Sequence, residues 1–104
     1  METNSQTRSA LLQKLKRLHE TGLISDNMDR AFAEVLAHET AETEAAIKRI
    51  DADLQPYETQ YGMSSEDFYR QFQTGDLGDR KDFIEWNALI MMKNDLQQRL
   101  ALLK

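Results

Sequence analysis

The sequence predicts an all-α fold: an elongated, coiled-coil-like antiparallel helical hairpin with a short corner helix and an N-terminal helix. Three observations lead there. Thirteen leucines and ten alanines stand against a single valine in 104 residues, a balance that favours helix over sheet. Apolar residues recur at alternating spacings of three and four along two long stretches. The four glycines, Gly22, Gly62, Gly75 and Gly78, fall at the junctions between stretches. At this length one domain is expected. Its parts are a basic N-terminal helix (1–24), a long helix (26–61), a corner (62–79) and a C-terminal helix (80–104).

The first helix is predicted from about Ser5 to Thr21, with Ala10, Leu11, Leu15 and Leu18 on one face and Leu12 at its edge. Gly22 closes it. Ser25 or Asp26 supplies the next N-cap, and the long helix follows to Tyr61. Its second half carries Leu36, Thr40, Thr43, Ile47, Ile50, Leu54, Tyr57 and Tyr61 at heptad spacing. Pro56 lies inside that pattern and predicts a kink or break one turn earlier, near Ala52.

The stretch "YGMSSEDFYRQFQTGDLGD", residues 61 to 79, reads as the corner. Gly62 ends the long helix, and Ser64 caps a short one that carries Phe68, Tyr69 and Phe72. Gly75 and Gly78 flank a turn with Leu77 as its plug, and Asp79 is the expected cap of the last helix. That helix presents Trp86, Leu89, Lys93, Leu96, Leu100 and Leu103 as a second seam, widened by Phe83 and Ile90. Four acid-before-base pairs, Asp26–Arg30, Glu44–Lys48, Glu66–Arg70 and Asp95–Arg99, have helical i,i+4 spacing. The long helix, at roughly 50 Å, outruns the last one, at roughly 37 Å. Its apolar start therefore needs a cover, and either the first helix or another chain is expected to supply it.

The net charge of −5 is unevenly placed. Arg8, Lys14, Lys16 and Arg17 against Glu2 and Glu20 leave +2 in residues 1–24, and hence −7 in the rest. An acidic body repels nucleic acid and attracts basic proteins. Nucleic-acid contact, if any, falls to Lys14, Lys16 and Arg17. No apolar run approaches the roughly 20 residues of a membrane span and METNSQTRS lacks a signal-peptide core, so a cytoplasmic, non-membrane protein is expected. The absence of cysteine removes disulfides and thiolate chemistry.

No constellation for catalysis emerges. "HETAE", His38 to Glu42, has Glu42 where a zinc-protease motif needs a second histidine, and His19 lies in another helix. Asp76, Asp79 and Asp82 are spaced by three rather than the two of a calcium loop. Glu85, between hydrophobic neighbours and beside Trp86, is expected to pair with the Trp86 indole or a tyrosine hydroxyl in a structural network. No enzyme activity, cofactor or metal is expected. Met91 and Met92, beside Ile90, suit a core or an oligomer interface better than an adaptable binding surface.

The segment "YGMSSEDFYRQFQTGDLGDRKDFIEW" resembles a group of small helical bacterial and archaeal proteins. The likeness rests on Tyr61, Gly62 and Met63, on Glu66, Phe68 and Phe72, on Gly75, Leu77, Gly78 and Asp79, and on Phe83, Glu85 and Trp86. It covers about a quarter of the chain. Proteins resembling this group are similar to the small acidic partners of toxin–antitoxin pairs. The resemblance implies a protein that binds and neutralises a toxin-like partner or assembles with one, and the acidic charge makes that partner a basic protein. Together with the acidic charge and the uncovered apolar helix start, it nominates Met28, Phe32, Val35 and Leu36 for contact and Glu34, Glu39, Glu42 and Glu44 for steering. A homodimer is expected, through the Met28–Leu36 segment or the last helix. An oligomerisation scaffold and a DNA-binding regulator are the competing classes.

Overall fold

The computed structural model describes residues 5–104. They form four helices and no strand: α1 (Ser5–Glu20), α2 (Asp26–Tyr61), α3 (Ser65–Gln73) and α4 (Lys81–Leu103). The chain divides into two compact units, Met1–Leu36 and Ala37–Lys104, with the boundary inside α2.

In the first unit α1 ends in a Schellman motif. The Gly22 N–H donates to the His19 carbonyl at 3.1 Å and the Leu23 N–H to that of Leu18 at 2.8 Å. Of the two candidate caps for α2, Ser25 is the one used, its Oγ accepting the Met28 N–H at 3.1 Å. Burial in this unit is confined to the neighbourhood of the turn. Leu15, Leu18, Ile24 and Met28 are half-buried, and no other described side chain of the unit is covered even that far. The expectation that the first helix covers the apolar start of α2 is therefore corrected. Leu11, Leu12, Phe32 and Val35 stay exposed because packing between the helices stops within a turn or two of the connector.

The second unit is the predicted hairpin. The later part of α2 runs antiparallel to α4: Tyr61 bonds Asp82, Tyr57 bonds Glu85, Asp51 pairs with Lys93, and Glu44 with Lys104. The seam residues Thr43, Ile50 and Leu54 are buried, as are Phe83, Trp86 and Ile90 opposite them. Thr43, the weak point of the heptad, is buried at low cost because its hydroxyl donates to the Glu39 carbonyl at 2.7 Å. Helix α3 closes the end. Trp86 and Phe68, both fully buried, stack with centroids 3.9 Å apart and planes within 6°. Tyr57, Tyr61, Met63, Tyr69, Phe72 and Leu77 pack around this core.

The corner forms much as its punctuation implies. Gly62, at φ 64°, takes the left-handed conformation that ends α2, and its N–H donates to the Glu58 carbonyl. Ser64 caps α3 by accepting the Asp67 N–H at 3.1 Å. Gly75, at φ 80°, closes α3 with a second Schellman pair, its own N–H to Phe72 and that of Asp76 to Gln71.

Three local expectations are corrected. Of the kink or break expected near Ala52, the break is absent, since α2 is one helix through Pro56. Ala52 and Pro56 both lie on the exposed face, where the carbonyl freed by the missing N–H meets water, while Ile50, Leu54, Tyr57 and Tyr61 hold the helix to α4. The N-cap of α4 is Arg80 rather than Asp79, and it makes no side-chain cap bond. The one-residue shift places the Arg80 guanidinium 5.8 Å from the Tyr61 ring centroid and 5.4 Å from that of Phe83. The charged side chains also find partners other than the i,i+4 ones. Arg99 reaches Glu39, Lys104 takes Glu44, Arg70 turns to Asp67, and Arg30 donates to Asn27.

Candidate functional site

Two features of the structure ask for a functional reading, one in each unit. In the second unit, polar groups converge on the corner. The Glu58 carboxylate on α2 accepts both the backbone N–H of Ser65, at 3.0 Å, and its hydroxyl, at 2.7 Å. The same Ser65 oxygen accepts the Trp86 indole N–H at 2.9 Å. One buried serine thus joins all three helices of the unit and satisfies the indole of the largest core residue. Each donor has one acceptor and each proton one destination, so the arrangement locks the corner and leaves no free nucleophile.

Glu85 does join a tyrosine, as expected, though it is about half exposed. Its Oε2 accepts the Tyr57 hydroxyl at 2.9 Å, while the Trp86 indole goes to Ser65 instead. Asp82 accepts the Tyr61 hydroxyl at 2.6 Å. Both phenols are pushed above the ordinary tyrosine range, first by these hydrogen bonds to carboxylates, then by burial and the nearby negative charge. Arg80 opposes the shift at Tyr61. Beside the corner lies a cleft of about 350 Å³ between Leu54, Tyr69, Arg70, Ile90 and Lys93. Its cations are already taken, Lys93 by Asp51 at 2.5 Å and Arg70 by Asp67.

In the first unit the notable feature is apolar surface. Phe32 is 37% exposed and Val35 59%, with Leu36 also exposed and Met28 half-buried. Met28, Phe32 and Val35 follow one another at helical spacings of four and three and so share a face of α2. Leu11, Leu12 and Leu23 add further exposed aliphatic surface in the same unit. Glu34 is exposed. In the second unit Glu42 is exposed, whereas Glu39 and Glu44 place their charge against Arg99 and Lys104. Lys14, Lys16 and Arg17 on α1 are exposed, as is His38. No group of three His, Asp or Glu side chains among the described residues is placed to hold a metal ion. No helix among them is long and apolar enough to cross a membrane.

Sequence reasoning missed Ser65 and Glu58. The only signal was the serine pair at 64 and 65, of which one alone can be the cap. It also favoured core or an oligomer interface for Met91 and Met92, and the core alternative is excluded: both are 52% exposed, as is Ile84. No protein-family model, no curated protein and no solved structure matches the chain.

Proposed function

We propose that this protein is a non-catalytic, antitoxin-like component that acts as a homodimer and binds and neutralises a basic partner protein. The observation that carries the reading is the first unit's apolar surface, in which Phe32 and Val35 are exposed on one face of α2 and nothing in the unit buries them. Helix faces of this kind are recognised in grooves through anchors at i, i+4 and i+7, here Met28, Phe32 and Val35, with Leu36 alongside. The −7 charge outside residues 1–24 selects a basic partner and accelerates encounter, with Glu34 and Glu42 the acids left to steer. The motif at residues 61 to 86 adds its resemblance to antitoxin components.

The test is co-expression with the neighbouring gene of its genome. Growth arrest by that neighbour, relieved by this chain and not by its Phe32→Asp variant, is the expected result. Binding should weaken with salt yet persist, since apolar contact is unscreened. A harmless neighbour, or relief that survives Phe32→Asp, overturns the reading. A second reading, an oligomerisation scaffold with no further partner, is favoured by the exposed apolar side chains of α4, and it predicts self-association alone.

A further inference from the structure

The core seam of α4 leaves a second one beside it. Met92, Asp95, Arg99 and Leu102 follow at spacings of three, four and three, one residue out of phase with the core positions Lys93, Leu96, Leu100 and Leu103 and therefore about 100° around the helix. All four are exposed, Met92 by 52% and Leu102 by 89%, the latter the most exposed of the chain's large apolar side chains among the described residues. A seam with apolar ends and one acid and one base between them has a symmetry of its own. Asp95 and Arg99 lie two residues either side of position 97, and Met92 and Leu102 five residues either side of it.

We infer that this seam is the homodimer surface: two copies pair α4 against α4, antiparallel, about a two-fold axis at the level of residue 97. In that register Asp95 of each copy faces Arg99 of the other, twice, and Met92 faces Leu102, twice. A two-fold contact must be self-complementary, and the charges select this register because sliding it along the seam sets Asp95 opposite Met92, opposite Leu102 or opposite the other copy's Asp95. Arg99 already reaches Glu39 within its own chain. Its guanidinium carries five donors, enough to hold both carboxylates. A polar pair inside an otherwise apolar seam sets register in coiled coils, which is its role here. The inference deepens the homodimer part of the function proposed above and uses a surface separate from Met28, Phe32 and Val35.

Sedimentation at micromolar concentration tests it. Asp95→Arg and Arg99→Asp should each raise the dimer dissociation constant by about tenfold or more, by setting like charges opposite one another. The double variant, which exchanges the two charges, should restore it when made in a Glu39→Gln background, so that no carboxylate opposes the new acid at position 99 within its own chain. Leu102→Ser should also weaken the dimer, whereas Ile84→Ser should not, because in this register Ile84 lies beyond the partner helix. Far-UV circular dichroism of each variant separates dissociation from unfolding. In the cysteine-free chain, Met92→Cys with Leu102→Cys should oxidise to a covalent dimer. Within one chain these positions are about 15 Å apart along the helix, too far for a disulfide, whose Cα atoms lie within about 7 Å. Single reversals that leave the dimer intact, a double variant that fails to restore it, or dissociation by Ile84→Ser would overturn the inference. A dimer that behaves as expected while Phe32→Asp still relieves growth arrest would instead remove the partner-binding reading and leave this one standing.

Discussion

Ser65→Ala is the sharpest probe of the corner. The substitution deletes one oxygen, which accepts the Trp86 indole N–H at 2.9 Å and donates to Glu58 at 2.7 Å. The indole N–H is fully buried and is left without a partner, at a cost of about 1–3 kcal/mol. Glu58 keeps the Ser65 backbone N–H and is only half-buried, so water recovers part of its loss. The expected cost is about 2–3 kcal/mol, which for a domain near 100 residues lowers Tm by on the order of 10 °C. A cycle with Trp86→Phe isolates the bond itself. Once the indole N–H is gone, Ser65→Ala orphans nothing, and its cost should fall by about 1–2 kcal/mol. Urea unfolding followed by far-UV circular dichroism measures both backgrounds, since Trp86→Phe removes the only tryptophan. Protein concentration is held fixed across the variants, because the proposed dimer would make unfolding concentration-dependent. A Ser65→Ala cost below about 0.5 kcal/mol, or strict additivity with Trp86→Phe, would refute the lock.

Other elements give smaller, separable effects. Pro56→Ala should stabilise the chain by about 1–3 kcal/mol in urea unfolding, because it restores the bond to the Ala52 carbonyl on an exposed face; destabilisation would mean that the proline shapes α2. Gly75→Ala should cost about 1 kcal/mol and Gly75→Asn less, because a Cβ there meets no atom and only the positive φ is penalised. Equal costs for the two would point to a clash instead. Stability should also fall above about pH 10. Tyr57 and Tyr61 have folded-state pKa values above the ordinary one, chiefly through their bonds to Glu85 and Asp82. Their contribution is complete below the unfolded value and is lost as pH rises through the folded ones. Tyrosinate absorbance that titrates identically in native and urea-unfolded protein would contradict this.

The hairpin was legible because its seams are made of a few strongly apolar residues at regular spacing, with glycines only at the junctions. What failed were rules that look at one neighbour at a time. Pro56 predicts a break from its own missing donor, yet Ile50, Leu54, Tyr57 and Tyr61 hold the helix on both sides. Asp79 is the better cap by residue type, yet Arg80 gains two aromatic faces that lie elsewhere in sequence. Local i,i+4 arithmetic assigns Asp95 to Arg99, but the acid that Arg99 reaches is 60 positions away. Ser65 was hidden for the same reason, its partners coming from two other helices. The Met28–Phe32–Val35 face was legible as periodicity alone. Spacing identifies a surface that needs cover, and carries no chemistry that identifies the cover.

The two units differ in what holds them, and that difference shapes the test of partner binding. The second has an aromatic core, whereas in the first no described side chain is buried. A helix the length of α1 is marginal in isolation, and its Schellman turn with the Ser25 cap contributes on the order of 1 kcal/mol. A partner that covered what remains exposed, 37% of Phe32 and 59% of Val35, would add about 0.5–2 kcal/mol for each, against the roughly 0–1 kcal/mol of an exposed ion pair. Affinity then resides in the apolar face and rate in the acids. Phe32→Asp should cost about 1–2 kcal/mol of stability, because the residue is only 37% exposed and the rest is covered within its own chain. It should also abolish binding by setting an unpaired charge against the partner, with far-UV circular dichroism separating the two effects. Glu34→Gln with Glu42→Gln should slow association several-fold at low salt and leave dissociation almost as it was. Surface plasmon resonance against the purified neighbour resolves the two rates. A reversed pattern, with dissociation governed by the acids, would mean that charge rather than the Phe32 face holds the complex.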